Sequence, residues 1–124
     1  MTLPPDLSAL AATLRASRSL GAKEDIGLVA GRLGLSGSSP VPVGDDCAAI
    51  PEGDGFLLFA IEGFMNEFVA GDPWFAGWCG VMVNLSDIAA MGGRPTAIVD
   101  ALWADGAEKA EPVLQGLRAA SERL

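Results

Sequence analysis

Between Asp72 and Pro95 the sequence carries a helix with both of its ends written out, and no other stretch constrains the fold so tightly. Asp72 offers a side-chain oxygen to the unpaired amides of a first turn, and Pro73 suits the first helical position, where no amide is needed. Trp74, Trp78, Val81, Met82, Leu85, Ile88 and Ala89 then recur at helical spacing as a wide apolar stripe. Gly92-Gly93 and then Pro95 end it. A stripe of that width is the face of a helix packed on a core. The chain has 124 residues, half of them hydrophobic, which leaves room for one sizeable core.

Around this helix the period changes. Pro4-Pro5-Asp6 introduces a helix with Leu7, Leu10, Ala11 and Leu14 on one face, and Gly21 is expected to break it. Ile26, Val29, Ala30 and Leu33 mark a second helix stopped by Gly34, followed by a Gly37-Ser38-Ser39-Pro40 loop. Residues 43–50 and 56–62 read as neighbouring strands across the turn Glu52-Gly53-Asp54-Gly55. The run from Phe56 to Ile61 is apolar throughout, as in a strand buried on both faces. Thr96 to Trp103 reads as another strand. Residues 107–123 form a last helix with Val113, Leu114, Leu117 and Ala120 facing inward, and Pro112 suits it best if the helix begins near Glu111. The expectation is an α+β fold with a mixed sheet of three to four strands flanked by helices, divided into an N-terminal helix (1–20) and a domain (21–124). So thin a sheet leaves an edge unpaired, and the chain stops after a helix that should return to a strand. Both features predict a partner chain or further sequence.

Charge and residue inventory exclude several functions. Sixteen acidic and eight basic residues give a net charge of −8, which disfavours nucleic acid and anionic membranes as partners. With no histidine in the chain, a Ser-His-Asp or Cys-His engine and a His-ligated zinc are impossible within it. Carboxylate oxygen remains, which suits Mg²⁺ or Ca²⁺. Cys47 and Cys79 make no disulfide framework and are expected to be reduced and semi-buried. With no signal-like start and no apolar run long enough to span a membrane, the expected location is the cytoplasm.

The acidic residues that could hold a metal lie at three places. Asp45 and Asp46 follow Gly44 in a turn, Glu62 lies at the exit of the apolar strand, and Asp87 sits on the long helix with Asn84 one turn earlier on the same face. Each has a plainer reading. Gly-Asp-Asp is an ordinary solvated turn, Glu62 an exposed strand end, and Asn84 with Asp87 a polar stripe toward solvent. Asp72 is a helix cap. Trp74 and Trp78 are packing residues before they are a base-stacking platform. In combination, acids from a turn, a strand end and a helix suit one Mg²⁺ bridging phosphate oxygens. Carboxylates without basic residues would repel ATP unless metal were present.

At these residues the sequence resembles a known family. Val43-Gly44-Asp45-Asp46-Cys47-Ala48-Ala49-Ile50 is similar to the Gly-Asp-Asp-Ala-Ala segment of the aminoimidazole ribonucleotide synthetase-related (PurM-like) superfamily. Asp72-Pro73-Trp74, Gly77-Trp78 and Val83-Asn84-Leu85-Ser86-Asp87-Ile88-Ala89-Ala90-Met91-Gly92-Gly93-Arg94-Pro95 resemble it further, most closely in the pattern of thiamine-monophosphate kinase. The matched segments run from about residue 21 to 105. The resemblance implies an N-terminal domain that completes its sheet with a second copy, a homodimer, and binds Mg²⁺ and ATP. It implies Asp45, Asp46, Glu62 and Asp87 as metal ligands, with Asp45, Asp46, Asn84 and Asp87 holding the nucleotide. The activity implied is phosphoryl transfer to, or phosphate activation of, a small-molecule substrate. Alternatives are thiamine-monophosphate kinase itself and a non-catalytic dimerisation domain of the same fold. The chain departs from the kinase pattern at Glu62, where that pattern has Asp, and at Asn66-Glu67-Phe68, where a histidine often follows. No Gly-Gly-Asp-Thr strand or C-terminal domain follows, so the rest of the nucleotide site is expected from outside this chain, and no catalytic residue is assigned.

Overall fold

The computed structural model describes residues 6–35, 41 and 43–124, with the side chains of 18, 19 and 21–24 outside the description. The expected loop at 37–40 and the Pro4-Pro5 start lie outside it too. The chain divides into two compact units, residues 1–45 and 46–124.

In the first unit, Asp6 caps α1 (Leu7–Arg15) by accepting a 3.0 Å hydrogen bond from the Ser8 amide. The break falls at Ala16 and Ser17 and not at Gly21, which lies within α2 (Arg18–Arg32). A glycine inside a helix costs only about 1 kcal/mol relative to alanine, and Ser17, with extended backbone, is a ready N-cap residue. Gly34 ends α2 as expected, at φ +68°.

The second unit opens with an antiparallel hairpin, β1 (Ala48–Glu52) and β2 (Gly55–Phe59), in register from Ala48 opposite Phe59 to Glu52 opposite Gly55. The two-residue loop Gly53-Asp54 has φ +58° at Gly53 alone, as a type II′ turn requires. The strands are shorter than the expected 43–50 and 56–62, and β2 is not buried on both faces. Burial alternates instead. Cys47, Ala49, Leu58 and Ala60 turn inward, while Ile50, Leu57 and Phe59 are about half exposed. A single layer of helices covers one face of a hairpin only, so the continuous apolar run did not signal two-sided burial within this chain.

Beyond the hairpin come α3 (Asn66–Gly71), α4 (Pro73–Ala90) and α5 (Ala107–Arg123). The ends of α4 are those read from the sequence: Asp72 accepts from the Phe75 amide at 3.1 Å, with Pro73 at the first position. At the other end Gly92 takes φ +74°, and its amide and that of Gly93 bond the carbonyls of Ala89 and Ile88, each at 2.9 Å. Residues 93–104 pair with no strand among the described residues, so the described sheet has two strands and not the expected three to four. Strand composition at 96–103 does not make a strand without a ladder partner, and Val99 and Trp103 are 85% and 88% exposed. Helix α5 begins at Ala107, so Pro112 lies inside it and withholds the amide that would bond the Glu108 carbonyl.

The core lies between α4 and α5, and it is made of small residues. Ala76, Gly77, Cys79 and Val81 of α4 and Val113, Gly116 and Ala120 of α5 are buried, and the two helices meet at Gly77 and Gly116. Of the expected stripes, Trp74 and Leu114 are exposed, whereas Met82, Leu85, Ile88 and Leu117 are half-buried. The reason is the close approach of the two backbones. A methyl group at Gly77 would fall on the Val113 carbonyl, and one at Gly116 on the Trp74 carbonyl with the Trp78 amide 2.8 Å away. The large side chains therefore flank the seam. Trp74 and Trp78 stack on each other at 5.7 Å, and Phe64, Phe68 and Phe75 meet edge to face at 5.4 and 6.2 Å.

Helix propensity alone predicts that Gly→Ala at either seam position stabilises by about 1 kcal/mol. The packing predicts the opposite sign, a loss of about 2 kcal/mol or more for Gly77→Ala and for Gly116→Ala, because the clash is with backbone that cannot swing aside. Gly27→Ala in α2, with open space around it, is the control and should stabilise by about 0.5–1 kcal/mol. Denaturant midpoints of the three variants decide between packing and propensity.

Candidate functional site

The five residues singled out in the sequence fall on different elements. Asp45 closes the first unit in the turn after Gly44, whose φ of +112° needs a glycine. Asp46, Glu62, Asn84 and Asp87 belong to the second. Asp46 is exposed just ahead of β1, and Glu62 is exposed in the segment between β2 and α3. Asn84 and Asp87 are half-buried on α4, three residues apart and so on one face of the helix.

The pair on α4 has a defined polarity. Asn84 donates its Nδ2 hydrogen to the Gly80 carbonyl at 2.8 Å, which turns its oxygen, a ligand for cations, away from the helix backbone. Asp87 makes no side-chain hydrogen bond or ion pair with any described residue. It also stands in the last turn of α4, beside carbonyls that carry the negative end of the helix dipole, and no basic residue shares that turn. Its position at the helix end works against its charge, and no basic residue among the described ones pairs with it. Ion pairs among the described residues occur on α5 and at its start, Lys109–Asp105 at 3.0 Å and Arg118–Glu122 at 2.8 Å. The latter holds the Arg118 guanidinium above its ordinary pKa, first through the hydrogen bond to Glu122.

Among the described residues, no three His, Cys, Asp or Glu side chains gather closely enough to cage a metal ion. That arrangement does not suit a metal held by protein ligands alone. Asp45, Asp46, Glu62 and Asp87, the ligands expected from the sequence, are not gathered into one cluster among the described residues. Neither cysteine is in a disulfide, and both are buried, deeper than the semi-buried state expected of them. No described helix is long and apolar enough to cross a membrane. Elsewhere, a shallow concavity of about 270 Å³ lies on the first unit, lined by Ile26, Val29, Ala30, Leu35 and Val43 with Asp25 at its side. It holds none of the five residues.

Comparison with known proteins adds identity to this geometry. The family model described as AIR synthase related protein, N-terminal domain, matches residues 44–124, which takes in α5 and leaves out α1 and α2. An uncharacterized protein of Synechocystis sp. is 50% identical over 105 residues, covering 82% of this chain and 33% of that protein. A thiamine-monophosphate kinase of Methanospirillum hungatei is 37% identical over 78 residues, covering 60% of this chain and 27% of the kinase. The chain thus spans a third or less of the length of these curated relatives. The Synechocystis match covers more of the chain than the family model does, so it reaches residues N-terminal to Gly44. No solved structure gives a significant match.

A carboxylate with no partner, at the unfavourable end of a helix, should cost stability when metal is absent. Asp87→Asn removes that charge and keeps the shape, so in chelator it is expected to melt at or above the wild-type temperature. A melting point lower by several degrees would reveal a structural partner for Asp87 and sink this account of the site.

Proposed function

The chain belongs to the AIR synthase-related family, whose N-terminal domain it contains, and from that membership we propose that it is the Mg²⁺- and ATP-binding part of an ATP-dependent enzyme acting on a small-molecule substrate. Asp87 carries the reading: a half-buried carboxylate in the last turn of an apolar helix, without a protein cation, beside an outward-turned Asn84 oxygen. A cation taken from solution would offset the unfavourable helix-end position of that charge. Asp87 and Glu62, with Asp45 and Asp46 from the turn before β1, are the proposed metal ligands, one or two of them at a time beside water and phosphate oxygens, since no three of them gather in the described structure. Asn84 supports them as a neutral oxygen donor and, with Asp45, Asp46 and Asp87, holds the nucleotide. When bound, Mg²⁺ neutralises phosphate charge and fixes the orientation of the terminal phosphate. The chain's own contribution is to hold and orient that complex. We read its location as cytoplasmic, in keeping with two buried cysteines outside any disulfide.

A second reading is thiamine-monophosphate kinase itself, favoured by the 37% identity to the Methanospirillum enzyme. Against it stand Glu62 and the segment Asn66-Glu67-Phe68, where the kinase pattern differs. Phosphorylation of thiamine monophosphate by the full natural protein separates this reading from an enzyme with another acceptor.

The partner we propose is a second copy of the chain. The outward face of the hairpin presents Ile50, Leu57 and Phe59, Ile61 beyond it is 80% exposed, and both strands have an open edge among the described residues. Residues 96–103, strand-like in composition and without a ladder, lie in the same unit. Two copies that pair these edges would satisfy backbone groups and bury both apolar faces at once.

Two measurements test the proposal. Calorimetric titration of a non-hydrolysable ATP analogue is expected to show binding only with Mg²⁺, weakened about tenfold or more by Asp46→Asn and by Asp87→Asn. Unchanged affinity in both variants would count against this ligand set, and no binding with Mg²⁺ would favour a domain that serves assembly alone. In sedimentation the wild-type chain should run as a dimer and Leu57→Lys/Phe59→Lys as a folded monomer. A monomeric wild type would refute the second copy.

A further inference from the structure

Gly92 and Gly93 follow one another at the end of α4, but the backbone demands only the first. Gly92 has φ +74°, whereas Gly93 is not among the glycines of positive φ, so its conformation is open to other residues. Its requirement is steric. A Cβ at Gly93 would stand 2.5 Å from Leu58 Cδ1, 3.0 Å from Ile88 Cγ2 and 3.1 Å from the Ile88 carbonyl oxygen. Gly93 is thus the floor of a notch walled by Ile88, to whose carbonyl its own amide bonds at 2.9 Å. Leu58 of β2 is the knob seated there. Phe56, Leu57 and Phe59 on the same strand are exposed, while Leu58 is half-buried, so the notch is a point at which the hairpin meets α4.

The proposed acids stand on both sides of this contact. Ile88 is the chain neighbour of Asp87, and Glu62 follows Leu58 by four residues. Asp46 precedes β1, whose Ala49 is the register partner of Leu58. One knob in one notch therefore governs how closely the hairpin, with an acid beyond each of its outer ends, approaches the helix end that carries Asp87. We infer that Gly93 is a positioning residue for binding of the metal–nucleotide complex, its missing side chain letting the hairpin close onto α4. The inference rests on the reading of these acids as Mg²⁺ ligands. Gly93 acts through Leu58 and touches no ligand itself.

The test uses the whole chain, titrated calorimetrically with a non-hydrolysable ATP analogue and Mg²⁺, as wild type, Gly93→Ala, Leu58→Ala and the double variant. The new methyl group meets the mobile end of a leucine, so the hairpin shifts and the fold survives, with melting within a few degrees of wild type. Gly93→Ala is expected to bind the metal–nucleotide complex about tenfold more weakly. In the double variant the Cδ1 that the methyl would strike is gone, and affinity should return to within about twofold of Leu58→Ala alone. Wild-type affinity in Gly93→Ala overturns the positioning role. So does a loss that tracks the melting temperature and is not restored in the double variant. A wild-type chain that binds no nucleotide with Mg²⁺ overturns the underlying reading, and the inference with it.

Discussion

Contact between the backbones of α4 and α5 is the constraint on which the rest of the second unit depends. Gly77 and Gly116 remove the side chains that would hold the helices apart, and Ala120, fully buried one turn beyond Gly116, keeps the seam narrow. At that separation many weak dispersion contacts replace a few large interdigitating side chains. The tryptophans and leucines are displaced to the flanks, where Trp74 and Trp78 cover each other. A helix clamped along one side cannot rotate or slide without losing the whole seam. The half-buried face that carries Asn84 and Asp87 is therefore presented at a fixed angle, and Asp87 is kept where its charge is disfavoured. Stability from the seam is what allows a costly group at the end of the same helix.

The hairpin is attached much less firmly. Its inward side carries Leu58 and, at the turn end, the half-exposed Phe56, and is otherwise small: Cys47, Ala49 and Ala60. Its outward side carries the larger apolar groups, Ile50, Leu57 and Phe59. A hairpin whose greater apolar area faces away from its own core is stable only in part by intrachain packing. The same asymmetry favours a second layer on the outer face, which would be bought with no new secondary structure. Attachment at Leu58 and the proposed covering from outside would act on the two faces of one pair of strands, and on that reading a change on either face would be felt at the acids beyond its ends.

How much of this was legible in the sequence depended on whether the signal was local. The ends of α4 were legible because Asp72, Pro73 and Gly92 act within one turn of themselves, and the capping bonds are those their side chains and dihedrals allow. The hairpin turn was legible for the same reason. The family string around Asn84 and Asp87 was legible as a resemblance. What failed needed knowledge of a neighbour. The apolar run at 56–61 was read as a doubly buried strand because composition does not say on which side a second layer lies. Residues 96–103 have strand composition and no strand, since a ladder is a property of two segments. The close approaches at Gly77, Gly116 and Gly93 went unread because a glycine required by a close approach looks, in sequence, like one tolerated in a helix or used to end it. At Gly93 there was a hint: one glycine suffices to end a helix, and two were present.

The charge distribution bears on the proposed site as a whole. Twelve acidic and four basic side chains fall within residues 46–124, whereas the first 45 residues hold four of each. All of the net charge of −8 therefore belongs to the second unit, and Lys109 and Arg118 there are already engaged on α5 and at its start. Arg94, just past the α4 end, and Arg123 are the remaining basic residues of that unit. A nucleotide with several negative charges meets a repulsive surface, and salt at physiological strength screens that repulsion only beyond about 8 Å. Phosphate held within that distance of Asp87 has to be accompanied by cations. On this reading the acidic excess is a selector. It turns away free anions and admits the same anions once they carry Mg²⁺, so affinity should follow the concentration of the metal complex and not that of the nucleotide.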